Sequence, residues 1–212
     1  MTSYSISLSL IEFYMDDGPL VTLLRALSAE VIRCHDAIDE AVKTGDADYI
    51  DAAFDNADRV TEELMSSAFL NCHLRLNGTH ALIRRIHDKA KQDGHTLTCS
   101  DGTKRGIFRI GSTAVPNTGF TQIEAIQAFA NYAKHSEEWQ RPWSKLKGRD
   151  KDTADTILAF GGEEDGTENF RVGMNAIGIK DYSPEPMAKY VKNWIIAVHQ
   201  TYKAELTRLN LL

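Results

Sequence analysis

The stretch Phe129-Ala130-Asn131-Tyr132-Ala133-Lys134-His135-Ser136-Glu137-Glu138-Trp139 holds the densest set of groups capable of chemistry. On a helix, Asn131 and His135 lie four residues apart and project from one face, with Lys134 beside them. Gln127 and Glu138 extend the row in both directions. Asparagine inside a helix is disfavoured against alanine by about half a kcal/mol, so its presence asks for a reason. An imidazole beside an ammonium loses proton affinity, which would keep His135 neutral and available as a base. The competing account of the same row is the solvated face of an amphipathic helix.

The string from Ala130 to His135, followed by an acidic pair and Trp139, resembles the motif helix of HEPN proteins (higher eukaryotes and prokaryotes nucleotide-binding). The likeness is close over about 15 residues and loose over the helical layout. It implies a helical bundle, a homodimer, and metal-independent endoribonuclease activity of the kind used in toxin–antitoxin and phage-defence systems, with an antitoxin-like protein as partner. In active members an arginine, a polar residue and a histidine meet at the dimer interface and cleave RNA. Position by position, Asn131 matches the polar residue and His135 the histidine, while Ala130 stands where the family has arginine. Lys134 could supply the missing cation, as could Arg141, which precedes Pro142 and should lie just past the helix end. RNA cleavage to a cyclic phosphate needs a base for the 2′-hydroxyl and a cation for the charge on phosphorus, and His135 with Lys134 meets that minimum. The resemblance thus leaves two functions open. One is a ribonuclease with His135 as proton shuttle, Asn131 and Lys134 on the phosphate, and Arg141, Gln127 and Glu138 around the substrate. The other is an inactive HEPN-like bundle that serves for dimerisation or for binding a nucleotide or a partner. A third account is a structural bundle whose last helix docks a partner, because Tyr190 and Ile195 widen its apolar face.

Other motifs compete less well. Arg75 and His80 stand at the literal family spacing, but Gly78 should spoil the helix that the geometry needs, so the match reads as coincidence. His73, His80 and His87 recur every seven residues, too far apart along one helix to share an ion, and read as structural or surface histidines. No metal or other cofactor is expected. Arg84, Arg85, Lys89 and Lys91 form one basic cluster and Lys145, Lys147 and Arg149 another; either could meet phosphate. Gly-rich phosphate loops and the G-x-S-x-G elbow do not occur. The acidic loop 161–166 lacks the ligand pattern of a calcium site.

The elements that must position these groups read as a mostly α bundle in a single domain, 1–212, carrying a small antiparallel β appendage. Ser5, Ser7 and Ser9 alternate with Ile6, Leu8 and Leu10, which predicts a strand over 4–13. Gly18-Pro19 opens a helix whose stripe runs Leu20, Leu24, Leu27, Val31, Cys34, Ile38 and Val42 and stops at Gly45. Asp46 caps a second helix, which either bends or breaks at Asn77-Gly78, the break being favoured. Leu97, Cys99, Asp101-Gly102, Ile107, Phe108 and Ile110 predict a hairpin over 95–110, with loop over 111–119. Helices follow at 120–138, 151–160 and 167–177, then a long last one bearing Met187, Val191, Trp194, Val198, Tyr202, Leu206 and Leu209. Trp139 and Trp143 should anchor a helix end in the core.

Composition narrows the classes. Across 212 residues, 42% are hydrophobic and 25% charged, an ordinary globular balance. The net charge of -6 argues against a generic nucleic-acid coat, although a local basic patch remains open. No apolar run suits a membrane span, no secretory signal is expected, and Cys34, Cys72 and Cys99 lack a C-x-x-C pair, which fits reduced thiols in the cytoplasm.

Overall fold

The computed structural model describes residues 2–139, 142–164, 166–180 and 183–212. Helices dominate it: α1 Ser3–Tyr14, α2 Gly18–Thr44, α3 Ala47–Gln92, α4 Lys104–Arg109, α5 Gln122–His135, α6 Gly148–Ala159, α7 Asn169–Ala176 and α8 Pro186–Arg208. The mostly α bundle expected from the hydrophobic periodicity is present. The β appendage is not: among the described residues β pairing amounts to one isolated antiparallel bridge, Ala114 with Thr121.

Both parts of that appendage are helical or irregular for identifiable reasons. Thr2 caps α1, its side chain accepting from the Ser5 backbone N–H. Tyr4, Ser7, Leu8 and Ile11 are buried, a three-and-four stripe hidden within the serine alternation, and they pack on α3 and α8. Of the residues that the strand pattern would align, Leu8 is buried while Ile6 and Leu10 face outward. In the predicted hairpin, Asp101-Gly102 does make a turn, with Gly102 at φ 70° and Asp101 accepting from the Thr103 backbone N–H. Thr103 then caps α4 by accepting from the Gly106 N–H, so the chain coils instead of doubling back. Thr98 donates twice to Glu205, and Ser100 pairs with the Tyr202 hydroxyl, which leaves α8 doing what a second strand would have done.

The helix predicted to break at Asn77-Gly78 instead runs as a single 46-residue α3. Glycine there costs about 1 kcal/mol of helix propensity. Its reason is the Tyr14 ring, which crosses so closely that a Cβ on Gly78 would sit 2.5 Å from the Tyr14 hydroxyl. Arg75, one turn earlier, donates to the carbonyls of Tyr14 and Asp16 and so closes the C-terminal end of α1. Glu62 on the same helix accepts from the Phe170 and Arg171 backbone N–H groups at the start of α7, which has no cap of its own.

One continuous core links α1, α3, α5, α7 and α8, with Phe69, Phe129, Trp194 and Tyr202 among its largest buried side chains. The N-terminal part of α3 and the far end of α2 form an outer arm with its own small cluster, Cys34, Ile38 and Ala57. The last helix spends its whole apolar face inside: Ile195 is buried and Tyr190 packs against the core. The surplus apolar face proposed for docking on α8 is therefore absent. Trp139 and Trp143 are buried as expected, against Tyr132. The three cysteines are free. No helix among the described residues is long and apolar enough to cross a membrane.

Candidate functional site: a histidine-lined cleft

The motif helix α5 owes its position to its first turn. Thr121 and Glu124 form a capping box, each side chain bonding the other's backbone N–H. The same Glu124 carboxylate accepts from Arg105 Nε at 3.0 Å and Arg109 Nε at 3.1 Å, fastening α4 beside α5. Ile123, Ile126, Phe129 and Ala130 then face the core. That leaves Glu124, Gln127, Asn131 and His135 on the other side, along a cleft of about 860 Å³.

The opposite wall comes from α3, where His73, Asn77 and His80 recur at helical spacing and face the same cleft. Lys104, Arg105 and Phe108 of α4 line it as well. Arg149, Asp150, Asp152 and Asp155 of α6 complete the lining, Asp155 being paired with Lys151. Of the basic cluster 145–149, Arg149 alone lines the cleft among the described residues.

Of the residues singled out in the motif, Asn131, His135 and Gln127 line the cleft together. His135 is half exposed, its Nδ1 lying 3.6 Å from a Glu138 carboxylate oxygen. Glu138 sits just outside in a 3-10 turn and is solvent-exposed. Lys134 is exposed at the margin; its charge falls on His73 and Lys104. Arg141 lies outside the described residues. Ala130, the position that the resemblance sets against the HEPN arginine, is fully buried in the core and does not line the cleft.

Electrostatics set the protonation of the cleft floor. Burial, reinforced by the charges of Lys134 and Lys104, lowers the His73 pKa to about 4. Burial with Lys104 and Arg84 does the same for His80, also to about 4. Both imidazoles are neutral near pH 7. The Asn77 amide nitrogen donates to His73 Nε2, which puts the ring proton on Nδ1, and its carbonyl oxygen accepts from Lys104 Nζ at 3.3 Å. Lys104 itself is pushed below the ordinary lysine range, first by burial and then by Arg149 and Lys134. Among the described residues, His73 Nδ1, His80 Nε2 and Gln127 Oε1 are buried without hydrogen-bond partners, so side chains lining the cleft carry unsatisfied polar atoms.

Two parts of this site were not legible as such. The seven-residue spacing of His73 and His80 marks structural or surface positions in the sequence, and only the unbroken α3 brings both to the cleft. Lys104 gave no signal, being 27 residues from Asn77 and inside a segment that read as hairpin. The Arg75 and His80 spacing is coincidental after all, since Arg75 is tied to the end of α1. His87 is absent from the cleft and bonds the Tyr202 hydroxyl at 2.7 Å. Among the described residues no group of three or more His, Cys, Asp or Glu side chains is placed to hold a metal ion. No protein-family model, curated protein or solved structure matches the chain.

Proposed function

We propose that the protein is a HEPN-like endoribonuclease that cleaves RNA with side chains alone, in the cleft between α3 and α5. The observation that carries this reading is the convergence of Asn131 and His135 with two neutral imidazoles, His73 and His80, and with Lys104 and Arg149 in one concavity. The 2′-hydroxyl oxygen attacks phosphorus, giving its proton to the His135 imidazole. The P–O5′ bond breaks as His135 passes that proton on to the departing oxygen, leaving a 2′,3′-cyclic phosphate and a 5′-hydroxyl. Asn131 and the surrounding cations hold the phosphate oxygens as charge builds on them.

The test is cleavage of a defined single-stranded RNA. His135→Ala should lower the rate by about a hundredfold or more while leaving the far-ultraviolet circular dichroism unchanged. Equal rates for wild type and variant would remove His135 from the chemistry.

A second reading is an inactive bundle that pairs with a second copy or an antitoxin-like partner. Two observations favour it: Ala130 is buried where an active motif would need a cation, and Ile6, Leu10 and Phe13 make an exposed apolar stripe on α1. A protein that associates but leaves RNA intact would select this reading.

A further inference from the structure

The cations of the cleft differ in how they are held. Arg105 is bound to the Glu124 carboxylate and lies over the Phe120 ring, so its charge is already answered. Among the described residues Lys104 has no carboxylate partner; its ammonium reaches the Asn77 carbonyl oxygen at 3.3 Å and stands 5.3 Å from the centre of the Phe108 ring. Arg149 and Lys134 are close enough to act on it electrostatically, which brings three like charges together from α4, α5 and α6. Of the carboxylates that line the cleft, Glu124 is taken by Arg105 and Arg109 and Asp155 by Lys151, while Asp150 and Asp152 stand on α6 beside Arg149. An anion at Lys104 would thus meet cations at close range and carboxylates beyond them. His73, 2% exposed, lines the same cleft, and its Nδ1–H has no partner among the described residues. Gln127 Oε1 and His80 Nε2, also buried and without partners among the described residues, belong to side chains that line it too.

We propose that Lys104 is the cation that receives a phosphate ester in this cleft, with Arg149 and Lys134 flanking it and Asn77 positioning its ammonium, so that the site is complete within one chain. The inference rests on the phosphate-ester reading of the cleft but not on turnover. It moves the phosphate-binding charge from the motif helix, whose arginine position is buried, to α4.

The experiment titrates adenosine 3′-monophosphate, with inorganic phosphate in parallel, into the full chain by calorimetry and by the histidine ring resonances. One site per chain is expected, with affinity unchanged over a hundredfold range of protein concentration. Lys104→Ala should weaken binding by about tenfold or more and Lys104→Arg by about threefold or less. Asn77→Ala should weaken it by about threefold and move the His73 resonances, whereas Lys145→Ala should do neither. Undiminished binding by Lys104→Ala, no saturable binding by wild type, or affinity that climbs with protein concentration would each overturn the proposal. Binding that depends on Lys104 in a protein that does not cut RNA would sustain it and refute the nuclease. Cleavage that survives Lys104→Ala would do the opposite.

Discussion

Asn77 is the residue through which the two chemistries of the cleft meet. One end of its amide accepts from an ammonium and the other donates to an imidazole, so a single side chain sets both the tautomer of His73 and the reach of Lys104. Neutral buried histidines carry a stability signature whose sign is fixed. The folded pKa values of His73 and His80, about 4, lie below the ordinary 6.5, so the unfolded chain binds protons first as the pH falls. Their contribution is complete above about pH 6.5 and is lost on the way down to about pH 4, on the order of 2 kcal/mol for each. Glu62 acts in the opposite direction, since burial raises its carboxyl pKa above the ordinary 4.5 and protonation then favours the folded state. His73→Gln should therefore flatten the decline of urea midpoints between pH 7 and pH 4 relative to wild type. An unaltered pH profile would mean that His73 titrates normally in the folded protein.

Hydrophobic periodicity places α2, α6, α7 and α8 where the structure has them, and the departures fall at α1, at Gly78 within α3 and at 95–110. Seven or more apolar positions at three-and-four spacing mark α2 and α8 beyond ambiguity, and Asp46 does cap α3 by accepting from the Tyr49 N–H. In α1 the alternating serines satisfy period two and period 3.6 together, and only packing on α3 and α8 chooses between them. Gly78 is the clearest case of a local signal reversed by a distant partner: it breaks a helix in isolation and admits Tyr14 in the folded protein. Gly78→Leu should accordingly destabilise the fold by about 2 kcal/mol despite leucine's better helix propensity. Much of that loss should return in Gly78→Leu/Tyr14→Ala compared with Tyr14→Ala alone, as a double-mutant cycle by chemical denaturation would read. Additive effects would show that the ring and the glycine do not interact.

At the scale of the molecule, stability is unevenly spread. The main core draws on every helix, the first half of α2 included, whereas the outer arm made by the far end of α2 and the start of α3 rests on Cys34, Ile38 and Ala57 with Ala53 and Val60 alongside. Few buried apolar contacts make a segment open at low cost. Amide hydrogen exchange should consequently be faster over 38–56 than over 65–90 of the same α3-centred hairpin, by about a hundredfold or more. Uniform protection along α3 would contradict that division.

Residue type and spacing along the chain suffice for its mostly helical character, for the apolar faces of the long helices, and for Asn131 and His135 on one side of α5. Packing across the chain is what makes 4–13 helical, carries α3 through Gly78, buries Ala130 in the core, and brings His73, His80 and Lys104 to the motif. Each of those depends on what stands opposite in space: a ring over a glycine, a carboxylate capping a helix from another segment, an ammonium brought to an amide from 27 residues away. Such juxtapositions are set by the free energy of packing the whole chain, which short-range periodicity does not encode.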